Sequence, residues 1–390
     1  MNIEHLHLYV RNAAVWRDWF VEKLNFQPAS AKSLEGLSEF AVYGAHIKIL
    51  ISSEQTGNSA VTHFLNHYAE GVADIAFRVK HLDEHVARIR ATGGRVISPI
   101  QAGKSAMKSL RWCRIAGWGS LTHTLIETTQ YSKEHPIYPL NSPGSEEGGA
   151  TLPLPADDFV EVKGVSRESL PGSVSKNRGL PWLNIDHAVL NVPSGQLEQA
   201  AAWYENQLGF VRRQQFAIAT GQSGLRSLVL KHPDGDATLP INEPTSSNSQ
   251  IQEFLEFHRG AGIQHVALQT GDLVQTVATL RRRGVAFLSV PAAYYQQLRE
   301  RPGFWPGAGD WEAIARQQIL VDWPSEESRI RLLQTFTQPL FERPTFFLEL
   351  IERQTKLTNT GVKRAEGFGE ANFQALFEAI EREQQQRGSL

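Results

Sequence analysis

Three side chains stand out for the chemistry their types and spacing allow: His187, His265 and Glu349. His187 sits in Ile185-Asp186-His187-Ala188-Val189-Leu190, whose alternation reads as a strand with one face polar enough to line a cavity. His265 holds a matching early position in Gly262-Ile263-Gln264-His265-Val266-Ala267-Leu268. Glu349 lies in a third strand-like run, where Phe347, Glu349 and Ile351 share a face. A carboxylate flanked by apolar neighbours is costly unless it is ionised against a cation. Two imidazoles and one carboxylate from three strands make the 2-His-1-carboxylate set that suits Fe(II) and leaves open positions for substrate and O2. A lone strand histidine is more often hydrogen-bonded core or surface than a ligand, so the surrounding framework has to carry the metal reading. His63, His67, His81, His85 and His258 fall on helix-like or polar stretches and read as solvated. Arg281-Arg282-Arg283 closes a helix, where cations offset the carbonyl dipole.

The framework is a duplication. Ile3-Glu4-His5-Leu6-His7-Leu8 parallels Ile185-Asp186-His187-Ala188-Val189-Leu190, and each run leads into a helix-like stretch with an aromatic pair. Both stretches then give Leu-x-Phe, at Leu24–Phe26 and Leu208–Phe210. Gly71–Phe77 matches Gly262–Leu268, and Leu125-Ile126-Glu127 matches Leu350-Ile351-Glu352. Within each half a strand, a helix and several short strands occur twice. The expected fold is α+β: four β-α-β-β-β units pairing into two open barrels. Residues 1–130 form the first, 182–390 the second, and the Pro-, Gly- and Ser-rich 131–181 a linker. At the aligned positions the first half offers His5, Asp74 and Thr124. Thr is a poor ligand, so a degenerate site is expected there. His265 and Glu349 lie 84 residues apart against 50 for Asp74 and Thr124, so an extra excursion is expected between Pro291 and Gln318.

Composition narrows the classes. The 390 residues suffice for about two domains. Lys+Arg 39 against Asp+Glu 41 leaves a net charge of -2, which argues against a nucleic-acid partner held through its phosphates. Apolar stretches fall far short of the roughly 20 residues that span a bilayer. Met1-Asn2-Ile3-Glu4-His5 shows no basic start or apolar run, so no leader and a cytoplasmic location are expected. The one cysteine, Cys113, leaves no intrachain disulfide and no thiolate metal cluster.

These residues resemble the vicinal oxygen chelate superfamily of glyoxalase/bleomycin-resistance/dioxygenase-like folds, and within it the 4-hydroxyphenylpyruvate dioxygenase family, in a cyanobacterial cast. The similarity runs through most of Trp182–Gly388. It includes Ser223-Gly224-Leu225-Arg226-Ser227, Leu239-Pro240-Ile241-Asn242-Glu243-Pro244, Ser249-Gln250-Ile251-Gln252 and Gly260–Ala267. It continues through Leu333-Gln334-Thr335-Phe336-Thr337, Arg343-Pro344-Thr345 to Glu349, and Gly367-Phe368-Gly369 with Asn372-Phe373. Over the first half it rests on the duplication. The stretch 301–311 is unusual beside the family's common loop, and Lys356–Glu366 looks like a polar insertion.

The resemblance implies Fe(II) held by His187, His265 and Glu349, chelated by the substrate's own 2-oxo acid. It implies substrate contacts from Ser227, Asn242, Gln250, Gln264, Gln334, Phe336, Phe347, Phe368, Asn372 and Phe373, with no catalytic side chain beyond these. The partners are 4-hydroxyphenylpyruvate and O2; oxidative decarboxylation, ring hydroxylation and side-chain migration give homogentisate and CO2. A homo-oligomer is compatible with all of this. In an ideal strand Gln264, next to His265, points to the opposite face. Phe373, Leu376, Phe377 and Ile380 form one apolar stripe of a C-terminal helix, with Glu378, Glu381, Arg382 and Gln385 opposite, and the family implies a lid there.

Two other classes stay open. 4-Hydroxymandelate synthase uses the same triad and substrate but hydroxylates the side chain; Pro240, Asn242 and Phe336 match the dioxygenase pattern instead. The superfamily also contains non-catalytic ligand-binding members, which lose the ligands that this second half retains.

Overall fold

The structure, a computed structural model, describes residues 1–34, 37–54, 57–104, 109–128, 179–220, 223–306, 311–323, 329–358 and 361–388. The expected linker lies almost wholly outside the described residues.

The first half runs β1 (Asn2–Tyr9), α1 (Ala13–Leu24), β2 (Gln27–Leu34), β3 (Leu37–Gly44), β4 (Ile47–Glu54), α2 (Ala60–His67), β5 (Gly71–Arg78), α3 (Leu82–Ala91), β6 (Val96–Lys104), β7 (Ser109–Ala116) and β8 (Thr122–Thr128). Its eight strands order β2-β3-β4-β1-β5-β8-β7-β6. The second half runs β9 (Trp182–Asn191), α4 (Leu197–Leu208), β10 (Val211–Ala219), β11 (Gly224–Lys231), β12 (Thr238–Pro244), α5 (Gln250–His258), β13 (Gly262–Thr270), α6 (Leu273–Arg282), α7 (Ala292–Glu300), α8 (Trp311–Arg316), β14 (Leu320–Asp322), β15 (Leu332–Phe336) and β16 (Phe347–Arg353). Its order, β10-β11-β12-β9-β13-β16-β15-β14, is the same. The hairpin β17 (Thr355–Thr358) and β18 (Gly361–Arg364) and the helix α9 (Glu370–Arg387) follow. These are the two tandem α+β units that the duplication implies, and α7 and α8 are the extra excursion. Among the described residues no helix is long and apolar enough to cross a membrane.

Local chemistry sets the boundaries. The side chains of Asn12, Ser249 and Asp272 accept from backbone N–H groups in the first turns of α1, α5 and α6. Helix α4 stops at Gly209, whose φ of 77° suits a residue without Cβ. One face of β4, Ile47, Ile49 and Ile51, packs in the main core with Phe20 and Leu24 of α1.

Register proves the duplication residue by residue. His5 pairs with Ala76 and His7 with Asp74, as His187 pairs with Ala267 and Val189 with His265. Ala76 then faces Thr124, as Ala267 faces Glu349. The bulges repeat too, at Glu4 and Asp186 in the first strands and at Ala73 and Gln264 in their partners. His5, Asp74 and Thr124 therefore hold the positions of His187, His265 and Glu349.

The structure corrects two expectations, at His258 and Glu381, and sharpens two others. His258 is buried, stacked between Phe254 and Tyr68, because the two halves meet there. Arg283, which ends α6, also sends its side chain to the end of α1, donating to Lys23 O at 3.0 Å and Asn25 Oδ1 at 3.2 Å. The segment read as a polar insertion is a hairpin that exposes Leu357 and Val362 on paired positions. Glu381 is buried on α9, where it accepts from Thr220 Oγ1 at 2.7 Å and from Ser223 Oγ.

Candidate metal centre

Strands β9, β13 and β16 are neighbours in the second sheet and carry His187, His265 and Glu349 to one point. Glu349 Oε2 lies 3.3 Å from His187 Nε2 and 3.5 Å from His265 Nε2. All three side chains are buried, and their ligand atoms lie within 4.8 Å of one another; no other such group occurs among the described residues. Burial opposes the charge on Glu349, but His187 and His265 outweigh it and draw the carboxyl down to about 2. Burial likewise opposes a charged His187, yet Glu349 and Asp186 lift it to about 9. For His265 burial wins, and its pKa falls. Two nitrogens and one carboxylate oxygen converging in a dry place fit a divalent transition metal.

The two histidines are oriented by different means. Asp186 Oδ1 lies 2.9 Å from His187 Nδ1, which holds that side of the ring and turns Nε2 toward Glu349. Arg353 donates to both oxygens of Asp186 at 2.7 Å and, with burial opposed, holds that carboxyl far below its ordinary range. His265 Nδ1 has no hydrogen-bond partner among the described residues. Its ring is stacked on Phe347 at 4.8 Å and 20°, with Phe336 edge-on at 6.3 Å.

Around the triad the other expected residues divide. Phe336 and Phe347 flank His265, and Phe368 packs edge-on against His187 at 5.1 Å. Gln334 Nε2 donates to Glu349 Oε1 at 2.8 Å and to Phe368 O at 3.3 Å, while its Oε1 accepts from Asn372 Nδ2 at 2.7 Å. Gly369 allows this approach: a Cβ there would sit 2.5 Å from Gln334 Oε1, on a residue with φ of +67°. Ser227 pairs across the strands with Asn242, and Asn242 with Asn191. Ser227 Oγ, Asn242 Oδ1, Asn191 Nδ2 and Gln250 Oε1 are buried and unpartnered. Each such atom costs about 1–3 kcal/mol, so a polar partner is expected against this wall. The bulge at Gln264 breaks the strict alternation with His265. Phe373 packs edge-on against Phe216 at 5.1 Å.

Sequence reasoning missed Asp186, Asn191 and Arg353. The first two carried a signal, since Asp186 precedes a ligand and Asn191 shares the strand face of His187 and Val189. Arg353 meets Asp186 only through the fold.

The chain matches the Glyoxalase/Bleomycin resistance protein/Dioxygenase superfamily over residues 2–109 and 184–301. It is 34% identical over 402 residues to a 4-hydroxyphenylpyruvate dioxygenase of Caenorhabditis elegans, covering 99% of this chain and 93% of that one. With the 4-hydroxyphenylpyruvate dioxygenase of Yarrowia lipolytica it shares 33% over 403 residues, at 99% and 93% coverage. An uncharacterized protein of Synechocystis sp. is 32% identical over 386 residues, covering 98% of this chain and 97% of that one. Among solved structures, a variant of 4-hydroxymandelate synthase from Streptomyces coelicolor superposes with a TM-score of 0.76 at 24% identity, covering 98% of each chain. That likeness speaks for the fold alone. With near full-length identity above 30% and a converged His-His-Glu triad, the chain belongs to the 4-hydroxyphenylpyruvate dioxygenase family.

Proposed function

We propose that the protein is an Fe(II)-dependent dioxygenase that converts 4-hydroxyphenylpyruvate and O2 to homogentisate and CO2. The observation that carries this reading is one juxtaposition: a two-histidine, one-carboxylate triad walled by phenyl rings and neighboured by neutral, unpartnered hydrogen-bonding groups. Such a place suits an aromatic 2-oxo acid, whose carboxylate a bound cation would meet, better than a purely aliphatic molecule.

Bound Fe(II) would supply the Lewis-acidic, redox-active centre at which a 2-oxo acid and O2 react. His187, His265 and Glu349 would hold it. Phe336 and Phe347 give the substrate ring apolar faces and edges, and Ser227, Asn242 and Gln250 offer its phenol hydrogen bonds without adding charge. Gln264, Asn372 and Phe373 complete the assigned contacts. Gln334 tethers one oxygen of Glu349 and leaves the other turned to the histidines. Phe368 and α9 close the mouth and exclude water from the reaction. Residues 1–130 serve as a scaffold in which Asp74 and Thr124 replace two of the three ligands, and 182–390 form the catalytic unit.

Anaerobic loading with Fe(II), then 4-hydroxyphenylpyruvate and O2, tests the proposal through its product. Homogentisate with matched O2 uptake is expected. Hydroxymandelate would assign the synthase chemistry instead, and no O2 uptake by the iron-loaded protein would refute catalysis.

A further inference from the structure

We propose that Arg353 is a positioning residue that couples the orientation of His187 to the seating of residues 365–369, the segment that leads into α9. The inference rests on His187 holding a metal, and on nothing about which substrate is turned over.

Arg353 stands at the end of β16, four residues beyond Glu349, and its side chain is 9% exposed. One edge of its guanidinium meets Asp186, Nε to Oδ2 and Nη2 to Oδ1, both at 2.7 Å. Its remaining nitrogen, Nη1, donates to Gly367 O at 2.8 Å and Ala365 O at 3.3 Å. One rigid, planar group thus touches the carboxylate that orients a metal ligand and the backbone that leads into the lid helix. A planar fork transmits a displacement from one edge to the other, which a single ammonium on a flexible stem does not. Arg364 also approaches Asp186, at 3.5 Å, but its side chain is 43% exposed, so water screens that pair.

The far end of the segment is connected as well. Phe368 sets its ring edge-on against His187, and its carbonyl accepts from Gln334, the residue that tethers Glu349. Residues 365–369 are therefore held by two side chains linked to the triad, Arg353 through Asp186 and Gln334 directly at Glu349. If the metal fixes His187 against Asp186, Asp186 is fixed against Arg353, and the carbonyls of Ala365 and Gly367 gain a fixed donor. The coupling is reciprocal: a seated segment steadies Arg353 and so favours the metal-ready histidine.

Hydrogen exchange of the full-length protein, with and without Fe(II) under anaerobic conditions, reads this directly and needs no turnover. In wild type, Fe(II) slows exchange in peptides spanning 365–369. In Arg353→Lys and Arg353→Met, measured at saturating Fe(II), the slowing is lost, and iron affinity falls by about 10- to 100-fold, as for other groups that orient a metal-bound histidine. Arg353→Lys keeps the charge and guards against a variant that fails to fold. Slowing that persists unchanged in both variants, or a wild type with no iron-linked change at 365–369, overturns the proposal. Failure to form homogentisate would refute the proposed function and leave this coupling standing.

Discussion

Gln334 donates to Glu349 Oε1 at 2.8 Å, while Oε2 is the oxygen that lies 3.3 and 3.5 Å from the two histidines. The contact fixes the carboxylate's rotation before any ligand arrives. Gln334→Leu keeps similar bulk but leaves Glu349 free to turn and Asn372 without its acceptor. Iron affinity should fall about tenfold, as expected when a group holding a metal ligand is lost. Titration with Fe(II) under anaerobic conditions measures it; wild-type affinity would show that Glu349 is held by its strand alone.

Glu349→Gln removes the negative charge on which the triad depends. Iron should no longer bind stoichiometrically and turnover should vanish, while the circular dichroism spectrum stays that of wild type. Wild-type iron content in this variant refutes the triad.

His265 Nδ1 has no hydrogen-bond partner among the described residues, so on that side a stacked ring holds the imidazole. Phe347→Leu removes the stacked phenyl, and Phe347→Ala removes a buried ring outright, at about 3–5 kcal/mol of stability. In Phe347→Leu, iron binding should weaken several-fold with little loss of thermal stability. Unchanged binding would mean that backbone register suffices to aim His265.

Helix α9 seats Leu376 and Ala379 in one cluster with Phe336 and Phe347, and Phe377 in another with Ile218 and Phe254. A chain ending at Gly367 should bind iron, up to about tenfold more weakly, but release no homogentisate. Full activity in that truncation ends the lid role.

Acid should unfasten the contact between the halves. His258 is 2% exposed, stacked on Phe254 and Tyr68, and 3.1 Å from Ser120 Oγ. Burial pushes its pKa down to about 4 from an ordinary 6.5. Above 6.5 both folded and unfolded chains keep it neutral, and its contribution is fully present. Between 6.5 and 4 the unfolded chain takes up the proton first, so stability falls by up to about 3 kcal/mol as pH drops through that window. Denaturant titrations at pH 7 and 4.5 measure the loss, which His258→Phe should reduce; equal losses in both proteins would place the acid sensitivity elsewhere.

The sequence showed most of the frame because duplication prints the same strand twice. His5 and His187, or Leu125 and Leu350, could be aligned without knowing any contact. The triad was legible because its residues occupy matched positions in short alternating runs. Contacts between distant segments were not. Arg353 and Asp186 are 167 residues apart, and nothing local distinguishes an arginine ending a strand from a solvated one. His258 was misread for the same reason: a helix face looks solvated until the other half is laid against it. The bulge at Gln264 also lies beyond periodicity, which assumes a period of two throughout.

The first sheet reaches the same strand order as the second, with Asp74 and Thr124 standing where His265 and Glu349 stand. Closing this architecture therefore does not require an ion. The second sheet can then close around its triad before a metal is bound, and the ion would enter a cradle already shaped. On the proposed function, chelation should then yield a folded, reloadable apoprotein, and the supply of iron would govern how many molecules are active, not how many survive.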